Sequence, residues 1–365
     1  MTAQKIRVAQ QYVNSSNGGG LKTEYSALAK RKSLDAKYEF IPVVLDRCHN
    51  GISIDDILFY RKEFKKAHPD IIHIRGAGIE SFNAVVGAKL ARQGKILVAV
   101  HGMFSDLVYY NPLKKWICKN IIEQMIFYMA DGISCVYEKA SGRDNFRKFK
   151  AKMLPPIYNR MPYFRDLSEC EKAALRDELK LPQDAVIGIF TGRITREKGL
   201  SYLAEALKAM DKCWPEDLLI LIVGDGEYLA EMQSKCSEMN HFRQVIFTGQ
   251  QGWNDVRKHL CAADFFLFPS LHENMPISIL EACAAKLPCI VTDVGGNTEI
   301  IKENINGIII PAGSAEAIFY GIKKMCDYDF RVYLREHEKQ IDYNKFSDEQ
   351  VDKQLEKVYE KLLNR

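Results

Sequence analysis

Two carboxylates, Glu273 and Glu281, stand with seven residues between them in His272-Glu273-Asn274-Met275-Pro276-Ile277-Ser278-Ile279-Leu280-Glu281-Ala282. The apolar run Ala263-Asp264-Phe265-Phe266-Leu267-Phe268 before them reads as a buried strand, and Ala282-Cys283-Ala284-Ala285 after them reads as helix. Glu273 therefore falls on a strand-to-helix loop and Glu281 one or two turns into the helix. In an open parallel sheet such loops lie at the carboxyl ends of the strands, where ligands bind. Pro276 suits the first helical turn, and the free N–H groups there suit a phosphate. The plain alternative is one exposed and one capping glutamate. A second group of chemically capable residues lies upstream in Phe190-Thr191-Gly192-Arg193-Ile194-Thr195-Arg196-Glu197-Lys198-Gly199-Leu200. Arg193 and Lys198 could be ordinary surface charge. Cations at a helix start oppose its dipole, however, and a diphosphate between them would supply the reason for them. Such fixed cations stabilise charge that builds on a leaving diphosphate.

Together these segments resemble the donor-site motifs of retaining GT-B glycosyltransferases, family 4 (glycosyl transferases group 1). That family has Glu, seven residues, Glu-Ala, and a Gly-Arg…Glu-Lys-Gly signature. The resemblance runs over most of residues 186–312 and is weaker in the first half. It implies that Glu273 positions the donor sugar, that Glu281 binds the ribose hydroxyls, and that Arg193 and Lys198 hold the diphosphate. Asn274, Met275 and Ile277 join the donor-binding set. His101, in the His-Gly after a strand, would approach the donor sugar and is not assigned as general base. The family mechanism is same-face attack, with the leaving phosphate helping to deprotonate the acceptor hydroxyl. Gly18 and Gly19, in the loop Asn14-Ser15-Ser16-Asn17-Gly18-Gly19-Gly20 after a first strand, match the family's phosphate-facing loop. On the residues alone, a flexible loop and a phosphate cradle stay equally open. Gly-x-Gly-x-x-Gly and Walker spacings are absent.

Alternating strands and helices position these residues. Strands are read near 6–12, 70–74, 96–100, 131–136, 185–190, 218–223, 245–249, 263–268 and 289–292, which argues for parallel sheets flanked by helices. A chain of 365 residues is long for one core. The Pro-rich stretch Leu154-Pro155-Pro156-Ile157-Tyr158-Asn159-Arg160-Met161-Pro162 reads as a hinge. The resulting expectation is an α/β protein of two Rossmann-like, doubly wound parallel-sheet domains facing a cleft. An acceptor-binding domain over 1–165 would carry the C-terminal helix 348–365 packed back on it, and a donor domain would span 170–340.

Composition narrows the class. With 47% hydrophobic and 27% charged residues the chain reads as an ordinary soluble globular protein. No apolar run reaches a membrane span, and the N-terminus leads into a strand rather than a signal peptide. The ten Cys lack Cys-x-x-Cys spacing, which points to free thiols in a cytoplasmic setting. Residues 1–168 hold 27 Lys+Arg against 15 Asp+Glu, net +12, and the remaining 24 and 32 leave residues 169–365 at −8. An anionic partner for the first half follows. No nucleic-acid module is present, so an anionic membrane surface or a pyrophosphate-linked acceptor fits better. Asn111–Tyr128 mixes Lys114, Lys115 and Lys119 with Trp116, Ile117, Ile121 and Phe127. It could lie on the inner face of the cytoplasmic membrane, or pack its apolar stripe on the sheet. Asp327-Tyr328-Asp329 is a formal metal motif read as a solvated turn. No metal or cofactor is expected, two basic groups replacing the cation.

The pattern departs from the family in three places. Lys286 stands where the family puts Gly, Leu154-Pro155-Pro156-Ile157-Tyr158-Asn159 replaces a Pro-Asn-Gly, and Arg75 replaces a frequent His. The resulting reading is a retaining glycosyltransferase. It would use a UDP- or GDP-sugar and a glycan or lipid-linked glycan acceptor in surface polysaccharide (lipopolysaccharide, capsule or exopolysaccharide) biosynthesis. A sugar-nucleotide epimerase of the same fold and an inert partner subunit are the alternatives.

Overall fold

The computed structural model describes residues 4–13, 32–46, 49, 51–103, 106 and 111–365. Gly18 and Gly19 lie outside the described residues. The chain divides into two compact units, Met1–Arg160 with Lys345–Arg365, and Met161–Asn344.

The first unit is built on five parallel strands: β1 (Ile6–Val13), β2 (Tyr38–Leu45), β3 (Ile71–Ala77), β4 (Lys95–Met103) and β5 (Gly132–Cys135), in the order β2-β1-β3-β4-β5. β2 was not read from sequence. It sits at a sheet edge and contains Pro42, a residue that only an edge strand tolerates, because it cannot donate to a ladder. Helices α1 (Ile54–Ala67) and α2 (Ile79–Ala91) follow β2 and β3, and the Ser53 hydroxyl caps α1 by accepting the Asp56 amide at 3.2 Å. The C-terminal helix Asp348–Leu363 belongs to this unit. Its buried Tyr359 meets the sheet through the His73 ring Nδ1 at 2.8 Å and the Gln10 amide at 3.1 Å.

The membrane-candidate segment is helical from Pro112 to Met129, with a π-helical turn at Cys118–Ile122. The extra residue of a π turn rotates the following face. Cys118, Ile122, Ile126 and Phe127 are buried, while Leu113, Trp116, Ile117, Ile121, Met125 and Tyr128 are exposed. Only part of the apolar residues therefore packs on the unit.

The second unit has six parallel strands: β6 (Val186–Thr191), β7 (Leu218–Val223), β8 (Val245–Gly249), β9 (Phe265–Phe268), β10 (Cys289–Thr292) and β11 (Gly307–Ile310). Every residue of β6, β7, β9 and β10 is buried, which is why they read as unbroken apolar runs. The order β11-β10-β9-β6-β7-β8 reverses direction between β6 and β9. Such a switch point opens a crevice at the carboxyl ends of those two strands. Three helices border it: α3 (Leu200–Met210) after β6, α4 (Trp253–Ala262) after β8 and α5 (Ile277–Ala284) after β9.

Candidate donor site

The loops leaving β6 and β9 carry both sequence-predicted groups, and the backbone holds those loops together. Gly199 ends the β6 loop with φ 67°, and a Cβ there would lie 1.9 Å from the Pro269 carbonyl oxygen. Only glycine permits that approach. The Leu271 amide donates to the Glu197 carbonyl at 2.8 Å across the same seam. From the other side, a Cβ on Gly295 (φ 54°) would lie 2.1 Å from the Glu273 carbonyl, and the Gly296 amide bonds the Asn274 carbonyl at 2.6 Å. The Glu273 backbone is thus held on both sides by segments from β6 and β10.

This clamp brings Lys198 and Glu273 into an ion pair. Lys198 closes a single 3-10 turn, Arg196–Lys198, and its ammonium lies 5.1 Å from the centre of the Phe268 ring. Glu273 is buried and also faces the Ser270 hydroxyl at 2.8 Å. Of the three acceptors within reach of that hydroxyl, the carboxylate is both nearest and charged. Ser270 is itself fully buried, and its carbonyl accepts the Thr292 hydroxyl at 2.6 Å. Ser270 and Thr292 were not singled out from sequence. They are short, neutral residues at strand ends, with nothing in type or spacing to mark them.

Pro276 stands at the N-cap of α5 rather than in its first turn, and no side chain caps the helix. The first amides of α5 are left open, as an anion requires. Ile277 is the first helical residue, Met275 is buried beneath the loop, and Glu281 lies in the middle of the helix. Burial pushes the Glu281 carboxyl up to about 7, while the Trp253 indole N–H at the start of α4 pulls the other way. Trp253 is another partner that sequence reading missed. Arg193 is exposed on the β6 loop, whose Ile194 amide is tied to the Asp225 carbonyl at 2.8 Å.

His101 lies near the end of β4 in the first unit, half-buried. Burial, with Arg75 and His101 nearby, holds the ring of His73 well below the usual imidazole range. The Asp-x-Asp is a helix cap rather than a solvated turn. Asp327 accepts the amides of Asp329 at 2.9 Å and Phe330 at 3.3 Å and so starts the helix Tyr328–His337. Among the described residues, no group of three or more His, Cys, Asp or Glu is placed to hold a metal ion.

Residues 171–346, which contain Arg193, Lys198, Glu273 and Glu281, match the family described as "Glycosyl transferases group 1". Over these residues the chain is similar to the group 1 glycosyltransferases. Its fold is GT-B, with two parallel-sheet α/β units. A glycosyltransferase from Rickettsia africae has a similar structure, with 20% identity, a TM-score of 0.74, and 99% of each chain covered. An Anabaena protein, HepE, in complex with UDP is similar at 16% identity and TM-score 0.72, over 98% of this chain and all of that one. Among curated relatives, the UDP-Gal:alpha-D-GlcNAc-diphosphoundecaprenol alpha-1,3-galactosyltransferase of Escherichia coli is 26% identical over 302 residues, 79% of this chain and 74% of that protein. The matched stretch spans 54% to 74% of the length of the first curated relatives.

Proposed function

We propose that this protein is a retaining glycosyltransferase that moves a sugar from a nucleoside-diphosphate sugar to an acceptor hydroxyl. The observation that carries the reading is the Lys198–Glu273 pair set beside the uncapped start of α5, with Glu281 further along the same helix. In this reading the donor diphosphate lies on the α5 amides, and Lys198 and Arg193 neutralise the charge that builds as the sugar leaves. Two fixed cations then serve where other enzymes use a divalent metal. Glu273, oriented by Ser270, receives the sugar hydroxyls once Lys198 turns to the phosphate. Glu281 accepts the ribose hydroxyls. The leaving phosphate takes the acceptor proton.

The acceptor in this proposal is a lipid-linked glycan of a surface polysaccharide pathway, worked on at the inner face of the cytoplasmic membrane. Two facts support it: the diphosphoundecaprenol substrate in the name of the Escherichia coli relative, and the exposed apolar row Leu113, Trp116, Ile121, Met125 and Tyr128 beside Lys114, Lys115 and Lys119. Among the described residues, no helix is long and apolar enough to cross a membrane, so contact would be interfacial.

Thermal melts against a panel of nucleoside diphosphates and nucleotide-sugars, with and without chelator, test the donor site. A ligand at about 100 times its dissociation constant adds about 2.7 kcal/mol. The expected result is a shift for one nucleotide class that survives chelator and is lost in Glu281→Ala and Lys198→Ala. No shift with any nucleotide would overturn the reading in favour of an inert subunit. Interconversion of nucleotide-sugars without acceptor would make it an epimerase.

A further inference from the structure

At the far end of α5 from the donor loop lies a cavity of about 650 Å3, lined only by residues of the second unit. Its volume falls within the range of small-molecule sites. Five cations line it against three carboxylates, although residues 169–365 as a whole carry a net charge of −8. This local reversal of sign is built in, because the cations behind the wall are not neutralised one for one. Asp264 alone serves three of them: Lys172 at 2.8 Å, Arg176 at 2.7 Å and Arg335 at 3.8 Å. Two of these, Lys172 and Arg335, face the cavity. Burial lowers the Lys172 ammonium below its usual range, the mark of a cation held at some cost.

Two further features tilt the cavity the same way. Lys286 occupies the turn after α5 with φ 59°, a left-handed conformation that disfavours any side chain, yet it presents a cation to the cavity. Glu338, the buried carboxyl of the lining, is pushed up because burial disfavours its charge, while nearby Lys286 and the Tyr343 hydroxyl it accepts at 3.2 Å pull the other way. Ala263, Ala284, Ala285 and Leu287 supply a small apolar part of the lining. We propose that this cavity is a second ligand site, separate from the donor site, that takes a small phosphate-bearing anion between Lys172, Lys286, Arg335 and Lys339. The lining joins the segment by which the chain enters the second unit, Arg165–Lys172, to the one by which it leaves, Arg335–Tyr343. A ligand here therefore ties both crossings to the end of the helix that carries Glu281.

Inorganic pyrophosphate is the probe, with sulfate at equal ionic strength as the baseline, read by thermal melt and calorimetry on the whole chain. The donor-site variant Arg193→Ala/Lys198→Ala should keep saturable pyrophosphate binding. Lys286→Gly, which also relieves the left-handed turn, and Lys339→Ala should each weaken that remaining binding about tenfold, the worth of one charge-assisted hydrogen bond. Both replaced side chains are exposed, so the variants should fold, and an unchanged nucleotide-induced shift in either one would verify the donor site independently. Loss of all pyrophosphate binding in the donor-site variant would overturn the proposal. So would binding that ignores Lys286→Gly and Lys339→Ala, or no binding beyond the sulfate baseline in any form.

Discussion

Gly199→Ala probes the clamp that makes the site. The added methyl would sit 1.9 Å from the Pro269 carbonyl oxygen, where real contacts do not fall below 3.0 Å. The β6 and β9 loops must therefore part by roughly 1 Å or more, and misplacement on that scale costs on the order of 100-fold in rate. A backbone cost comes on top, because φ 67° is left-handed and disfavours alanine by about 1–2 kcal/mol. Gly313→Ala separates the two effects. Gly313 has a similar φ of 76°, but its added methyl would meet only the Tyr202 ring at an ordinary 3.6 Å. Gly313→Ala should lower the melting temperature by about 2–8 °C, the backbone cost alone at about 2–4 °C per kcal/mol for a domain of this size. It should leave the release of nucleoside diphosphate from the cognate donor unchanged. Gly199→Ala should lower the melting temperature further and slow that release about 100-fold. If the two variants behave alike, or if Gly199→Ala keeps the wild-type rate, the loop seam does not position Lys198 against Glu273 and the site argument fails.

Other consequences are equally concrete. Because the Glu281 carboxyl titrates near 7 when folded and near 4.5 when unfolded, the folded state holds the extra proton between those values. Stability should fall as pH rises through that window, by up to about 3 kcal/mol. Glu281→Gln should raise the melting temperature at pH 8 but not at pH 4, while abolishing nucleotide binding; an equal change at both pH values would show that Glu281 is not held neutral by burial. Ser270→Ala removes the hydroxyl that orients Glu273 and should cost about 1–2 kcal/mol. It should lower kcat more than it raises KM, and a pure KM effect in steady-state kinetics would contradict the role given to Glu273. Trp116→Ala/Ile121→Ala should cut co-sedimentation with anionic phosphatidylglycerol vesicles several-fold without changing nucleotide binding, whereas unchanged sedimentation would remove the helix from the membrane argument.

What the sequence disclosed, and what it withheld, follows from burial and charge. Interior strands of a covered parallel sheet are apolar on both faces, so β6, β7 and β9 announce themselves as runs. Of the four edge strands, β5 and β8 were read and β2 and β11 were not. Pro42 inside β2 argues against a strand until its place at the edge is known, and β11 is only Gly307-Ile308-Ile309-Ile310 after the turn Asn304-Ile305-Asn306. The charged members of the site were legible because a lysine or glutamate at a strand-to-helix junction asks for a reason. Ser270, Thr292 and Trp253 were not, since their roles come from distance: 2.8 Å to one carboxylate, 2.6 Å to one carbonyl, one indole against a carboxyl on the next helix. Lys286 shows the same limit from the other direction. As a departure from a pattern it looked like a detail of a helix end. Its left-handed backbone and its place in the wall of a basic cavity turn it into a residue whose retention calls for a ligand. A sequence pattern finds residues whose chemistry is costly wherever they stand. The fold is needed to find those whose chemistry is costly only in one place.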